Sequence, residues 1–135
     1  MNTYNIDDKN FINTEEYQNF IKDNPEVGYL KIRAYAASGA VPISGLRIVV
    51  SKDIGNNKII FFDGTTNESG IIERISLPAP KLDPNDLDVP NKITYDINAT
   101  YNNINNLFKI NIYEKIRVVQ NISVVPEMMV SGGDI

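Results

Sequence analysis

The chain has 135 residues, a length that suits one domain with its own hydrophobic core. It contains neither histidine nor cysteine, which excludes the usual general base at neutral pH, thiolate nucleophiles, disulfides and zinc–cysteine sites. Its 13 Lys and Arg and 17 Asp and Glu give a net charge of −4. Because the cations form no basic run, we expect no nucleic-acid partner.

The composition also bounds what an enzyme or a membrane protein made from this chain would need. An enzyme would have to use carboxylate, Lys, Tyr or Ser/Thr side chains, and no carboxylate pair stands out in the sequence. No apolar run has the length of a membrane span. Residues 1–8 lack the charged and apolar regions of a signal peptide. We therefore expect cytoplasmic synthesis, with incorporation into a spore, envelope or phage-like structure.

The N-terminal 25 residues are predicted to form an arm and a short helix. Residues 1–13 are polar, and Phe11 and Ile12 are the apolar side chains with which such an arm could add a strand to another subunit's sheet edge. A disordered tail is the alternative. Asn13 and Glu16 have capping-box spacing, and the helix is expected to end at Asn24.

Residues 26–126 are predicted to form an all-β sandwich, followed by a flexible tail over 127–135. Seven runs with strand patterns are separated by turn signals; most alternate apolar and polar residues with a period of two, and the run from Lys58 to Phe62 is apolar on both faces. Gly70, in one of these turns, is expected to adopt a positive φ. The runs begin near Leu30, Leu46, Lys58, Ile71, Ile93, Phe108 and Ile116.

Three segments carry a resemblance to a known superfamily. Gly28-Tyr29-Leu30-Lys31-Ile32, Val41-Pro42-Ile43-Ser44-Gly45-Leu46-Arg47-Ile48 and Thr66-Asn67-Glu68-Ser69-Gly70 resemble the carboxypeptidase-regulatory-like, transthyretin-like superfamily. Asn67 stands where that pattern usually has Asp. The resemblance implies a seven-stranded transthyretin-like sandwich.

A narrower likeness covers residues 28–126. Its Pro-rich loop after Leu77 and its last strand are similar to the N-terminal prepeptide region of clostridial spore cortex-lytic enzymes and to related stand-alone proteins of Firmicutes. That likeness implies a non-catalytic accessory domain.

The function expected from the sequence is therefore a non-enzymatic structural or assembly module without a cofactor. Its partner would be another protein or a second copy, contacted through sheet edges and the arm. The alternative is a carbohydrate- or peptidoglycan-binding module for a cell-wall glycan. Its ligand face would be the outward side of the first long strand, formed by Tyr29, Lys31, Arg33 and Tyr35.

The loop over 81–91 contains three acids, Asp83, Asp86 and Asp88. Oxygen ligands at this spacing could hold calcium, although they do not follow the EF-hand order. Solvated loop acids are the favoured interpretation, and we expect no metal site.

Overall fold

A computed structural model describes residues 2–124. Two α-helices, nine β-strands and one turn of 3-10 helix (Ala37–Gly39) make up this range. The helices are α1 (Lys9–Ile12) and α2 (Glu15–Asp23), and the strands are β1 (Thr3–Asn5), β2 (Glu26–Ala36), β3 (Val41–Pro42), β4 (Arg47–Ile54), β5 (Asn57–Thr65), β6 (Ile71–Ala79), β7 (Ile93–Tyr101), β8 (Ile104–Ile112) and β9 (Arg117–Ser123).

The strands form two sheets. The first has the order β1-β5-β4-β7-β8, and only β1 is parallel to its neighbour. In the second, β2 pairs with β6 and β3 antiparallel and with β9 in parallel. The seven predicted strands are all present, but the prediction of seven in total is wrong. The two additional strands, β1 and β3, are too short to produce an alternation pattern.

The core lies between the sheets and consists of the inward-facing residue of each alternating pair. Each such Leu, Ile or Val contributes about 1.5–3 kcal/mol relative to an exposed side chain. Gly28 allows β2 to approach the end of β8, because a Cβ there would lie 2.4 Å from the Tyr113 carbonyl oxygen. The largest fully buried side chains are Tyr95, Phe11, Leu30, Ile32, Leu46, Ile48, Ile59, Leu77, Ile97, Ile112, Ile122 and Val50.

The N-terminal segment is not the free arm expected from its polar composition. Strand β1 pairs in parallel with β5 of the same chain. The Phe11 side chain is 0% exposed and packs edge-on against Tyr17, with ring centroids 5.4 Å apart. Composition gave the wrong prediction here because a single buried aromatic residue and three backbone pairs suffice to hold a short polar segment on the sandwich.

Helix α2 closes one end of the core. The Phe20 ring lies 5.7 Å from that of Phe61 on β5, which in turn packs against Tyr95. The helix is capped by Thr14 rather than by Asn13, since the Thr14 hydroxyl accepts the Tyr17 N–H at 3.2 Å. The expected helix is confirmed, with its start one residue later than the capping-box spacing indicates.

The turn before β6 shows how Asn67 replaces the usual Asp. Its side-chain oxygen accepts the N–H groups of Ser69 and Ile71 at 2.9 and 3.0 Å, which a carboxylate would also do. Gly70 has φ of 74°, as predicted. Within residues 2–124, no helix is long and apolar enough to cross a membrane.

Candidate functional site

A groove of about 500 Å³ lies on the outer face of the five-stranded sheet. This volume is within the usual range for small-molecule sites. Strands β4, β5, β7 and β8 form its floor and walls, so the side chains are held by hydrogen-bonded backbone rather than by loops. Its lining residues are Ser51, Asp53, Lys58, Asp96, Asn98, Leu107, Phe108 and Lys109.

The strand register brings these polar side chains together. Ser51 on β4 lies opposite Asp96 on β7, and Asp96 lies opposite Lys109 on β8. Directly opposed residues of an antiparallel pair point to the same face, with Cβ atoms about 4.5–5.5 Å apart. Ser51, Asp96 and Lys109 therefore form one transverse row across the outer face.

A β-bulge supplies the second cation of the groove. The pairing of β4 with β5 passes from Val50–Phe62 to Ser51–Ile60, which leaves Phe61 as an extra residue. As a result, Lys58 rather than Ile59 lies opposite Asp53. Without the bulge, the side-chain period of two would turn the ammonium group of Lys58 to the other face of the sheet.

Some charged side chains of the groove form ion pairs with each other, and others do not. Lys109 Nζ lies 2.6 Å from Asp96 Oδ1. This hydrogen bond raises the pKa of the Lys109 ammonium, and the negative charges of Asp96 and Asp53 act in the same direction. Within residues 2–124, the Asp53 and Lys58 side chains form no hydrogen bond or ion pair. The Asp53 carboxylate and the Lys58 ammonium group are therefore both available to a ligand.

Two further polar groups and an apolar wall complete the groove. Ser51 is only 5% exposed. The Asn98 Oδ1 atom is buried and lacks a hydrogen-bond partner within residues 2–124. Leu107, 77% exposed, forms the apolar wall. Buried polar atoms without partners are uncommon, because the cost of removing them from water is not offset.

The predicted ligand face lies on the second sheet, away from the groove. Tyr29, Lys31, Arg33 and Tyr35 all lie on the outer side of β2. The Arg74 guanidinium carbon lies 4.1 Å from the centroid of the Tyr29 ring, and Lys31 Nζ lies 3.5 Å from Glu73 Oε1. This aromatic face is therefore already covered by a cation, which disfavours it as a platform for stacking sugars.

The remaining candidate residues do not join either face. Phe11 belongs to the core, and Ile12 is the last residue of α1. In the 81–91 loop, the Asp83 carboxylate accepts the Asn85 N–H at 2.9 Å, a local turn interaction. Within residues 2–124, no group of three acidic side chains is arranged to hold a metal ion.

Sequence reasoning missed the groove. Alternation in β4 and β7 does indicate that Ser51, Asp53 and Asp96 point away from the core. It does not indicate that these strands are neighbours, and the bulge that brings in Lys58 has no clear signature in a run as apolar as Ile59 to Phe62.

Comparison with solved structures identifies the fold. The chain is similar to 5-hydroxyisourate hydrolase of Klebsiella pneumoniae, with 16% identity, 73% of this chain and 90% of that chain covered, and a TM-score of 0.52. Weaker likenesses are to (S)-allantoin synthase, with 13% identity, 75% and 42% coverage and a TM-score of 0.45, and to catechol 1,2-dioxygenase of Pseudomonas arvilla C-1, with 10% identity, 99% and 62% coverage and a TM-score of 0.46. No protein-family model matches the sequence, and no curated protein matches it either.

These comparisons correct the functional expectations. The prediction of a non-enzymatic module, in its assembly form and in its carbohydrate-binding form, is contradicted because the matched sandwich is that of a hydrolase. Nothing in them supports the likeness to spore cortex-lytic prepeptides, or a place in a spore or envelope. What the match shows is the architecture: the chain has the transthyretin-like β-sandwich fold.

Proposed function

We propose that the chain is a hydrolase for small polar substrates and that the groove on the five-stranded sheet is its active site. The observation that carries the proposal is the meeting of an unpaired carboxylate, Asp53, with an unpaired ammonium group, Lys58, in a cavity of about 500 Å³. The transthyretin-like fold supports the proposal only by showing that a sandwich of this type can carry a hydrolase site.

Hydrolysis is the chemistry that these side chains can perform without histidine. The Asp53 carboxylate would accept a proton from a water molecule as the water oxygen forms its bond to a carbonyl carbon. The Lys58 ammonium would stabilise the negative charge that develops on the carbonyl oxygen. When the bond from carbon to the leaving nitrogen or oxygen breaks, Asp53 would return the proton to the leaving group.

The other lining residues would bind and orient the substrate. Ser51, Asp96 and Lys109 form one row, and the Asp96–Lys109 ion pair at one end of it presents a fixed dipole, with 2.6 Å between Nζ and Oδ1. Leu107 offers an apolar wall to a ring or an alkyl group. A substrate N–H group that reaches the groove floor would satisfy the Asn98 oxygen. A compact amide or ester with one apolar side fits this set of groups.

The test is a hydrolysis assay on a panel of small cyclic and linear amides and esters. The panel includes 5-hydroxyisourate, because the matched structure is named as a 5-hydroxyisourate hydrolase. We expect Asp53→Asn to lower kcat/KM for the best substrate by about 10²–10⁴-fold, the usual contribution of a general base. Asp63→Asn is the matched control, because Asp63 also lies on the outer face of the five-stranded sheet but is paired with Arg47 and does not line the groove.

Two results would contradict the proposal. One is the absence of turnover of any compound in the panel by the folded wild-type protein. The other is turnover that Asp53→Asn and Asp63→Asn reduce equally, since the loss would then follow a general effect of charge rather than the groove. Circular dichroism and thermal melting of each variant exclude misfolding as the cause of lost turnover.

A further inference from the structure

The outer face of the second sheet carries a concentration of positive charge that the proposed hydrolysis does not use. Lys31 and Arg33 extend from β2, Arg74 from β6 and Arg117 from β9. Glu73 is the acidic side chain that contacts this group. The chain as a whole has net charge −4, so this face, which we call the cationic face, is opposite in sign to the average surface.

The register explains why these side chains meet. Tyr29 lies opposite Arg117 and Arg33 lies opposite Asn121 in the parallel pairing of β2 with β9. On the other side, the pairing of β2 with β6 passes from Leu30–Ile75 to Ile32–Ile72. Two residues of β6, Glu73 and Arg74, therefore oppose one residue of β2, and both are exposed.

The cations of this face are held unequally. Glu73 Oε1 lies 3.5 Å from Lys31 Nζ and 3.4 Å from Arg117 Nη1, so one carboxylate is shared by two cations. Arg74 lies over the Tyr29 ring. Arg33 is exposed, and within residues 2–124 its side chain forms no ion pair. The Arg117–Glu73 pair is exposed on both sides and contributes little, so it exchanges easily for a competing carboxylate.

From these observations we infer that the cationic face binds an extended acidic segment of a partner protein. Guanidinium groups bind carboxylates in bidentate geometry, and three of the four cations are Arg. Lys31 and Arg33 lie two residues apart on one strand, about 6.6 Å, which is also the spacing of alternate side chains in an extended peptide. An acidic residue at every second position would thus face the cations in register.

The surroundings of the face favour a peptide laid across it. Strand β2 is paired on both sides by β6 and β9, so the ligand cannot add a strand to it. A cavity of about 230 Å³ at the end of the face, lined by Arg33, Tyr35 and Pro42 among others, has room for one side chain of the ligand. The Tyr29 ring is covered by Arg74, which removes a stacking surface that a nucleic-acid base would need.

Fluorescence anisotropy tests this inference with a labelled peptide of about eight residues that alternates Glu and Ser, a length that spans the face. We expect binding at low salt that weakens as ionic strength rises. The double variant Arg33→Glu/Arg117→Glu should weaken binding at least about tenfold, because it replaces attraction by repulsion at two positions. Lys92→Glu, on an exposed loop, is the matched control for the same kind of charge change.

The outcomes separate cleanly. Two control variants are measured beside the double variant: Lys92→Glu alone and Lys81→Glu/Lys92→Glu. The inference is supported if Arg33→Glu/Arg117→Glu loses binding and both controls bind like the wild type. Equal weakening in the double variant and in Lys81→Glu/Lys92→Glu would overturn it, because net charge alone would explain the result. Tighter binding of a labelled single-stranded RNA of similar length than of the acidic peptide would also overturn it, by assigning the face to another class of partner.

Discussion

The two outer faces of the sandwich have the same origin and different chemistry. Each is the outward half of an alternating strand pattern, and each contains a β-bulge that changes which side chains meet. On the five-stranded sheet, carboxylates and ammonium groups are mixed around a concave groove. On the second sheet, Glu73 pairs with two of the four cations, Lys31 and Arg117. One hydrophobic core therefore supports two surfaces, and the strand register within each sheet determines which side chains meet on its outer face.

Because both outer faces rest on the same core, a change between the sheets should affect both of them. Gly28→Ala should be the most damaging single change, because the new methyl group would lie 2.4 Å from both Ile112 Cγ2 and the Tyr113 carbonyl oxygen. We expect it to lower the free energy of unfolding by about 1–3 kcal/mol, as overpacking usually does. Urea unfolding measures the loss, and signals from both faces should change together in NMR spectra.

Ser76→Ala is the control for Gly28→Ala. Ser76 is exposed on β6, opposite Tyr29, and its substitution adds no atoms between the sheets. Equal stability of the Gly28→Ala and Ser76→Ala variants would show that β2 and β8 are not in the close contact described above.

A second prediction concerns the hydrogen bond that joins the two sheets through the core. The Tyr95 hydroxyl on β7 donates to the Pro78 carbonyl oxygen on β6 at 2.5 Å. Tyr95→Phe should lower the free energy of unfolding by about 1 kcal/mol near neutral pH, the usual net value of such a bond. Neither face should lose its ligand, since the ring itself remains.

The same residue should also affect stability at high pH. Burial raises the pKa of Tyr95 well above its ordinary value. A group whose pKa is higher in the folded state contributes stability below the unfolded-state pKa of about 10, and that contribution falls as pH rises above it. Unfolding measured from pH 8 to 11 should therefore show a steeper loss for the wild type than for Tyr95→Phe, and parallel curves would contradict the pKa assignment.

The smallest expected effect is confined to one face. Arg47 donates to both carboxylate oxygens of Asp63, at 2.9 and 2.7 Å, and the hydrogen bond lowers the pKa of Asp63. A lowered pKa gives stability that is present above the unfolded-state value of about 3.9 and is lost as pH falls through the folded-state value.

Because the Arg47–Asp63 pair is exposed, the melting temperature should change by no more than about 2 °C on Asp63→Asn at pH 7. The difference between wild type and variant should vanish near pH 2 and shrink in 1 M salt. A difference that persists at pH 2 would indicate a role for Asp63 other than this ion pair.

The sequence allowed the class of fold to be predicted, but not the groove. Most of the seven long strands follow from alternation, the third follows from its apolar run, and the Thr66–Gly70 turn follows from its Asn and Gly. The N-terminal segment was predicted wrongly, because the burial of Phe11 depends on a pocket that Tyr4 and Tyr17 form only in the folded chain. The four residues of the predicted face on β2 lie on one strand, so alternation alone places them on one side of the sheet.

By itself, then, the sequence determined which side chains of each strand face the core, because that depends only on the period of two. The tertiary structure decided which outward side chains share a surface. Asp53, Asp96 and Lys109 are distant in sequence, and they meet because β4, β7 and β8 are neighbours in one register. Lys58 joins them because of one extra residue in β5. Strand order and bulges result from the packing of the whole domain, so no local pattern encodes them.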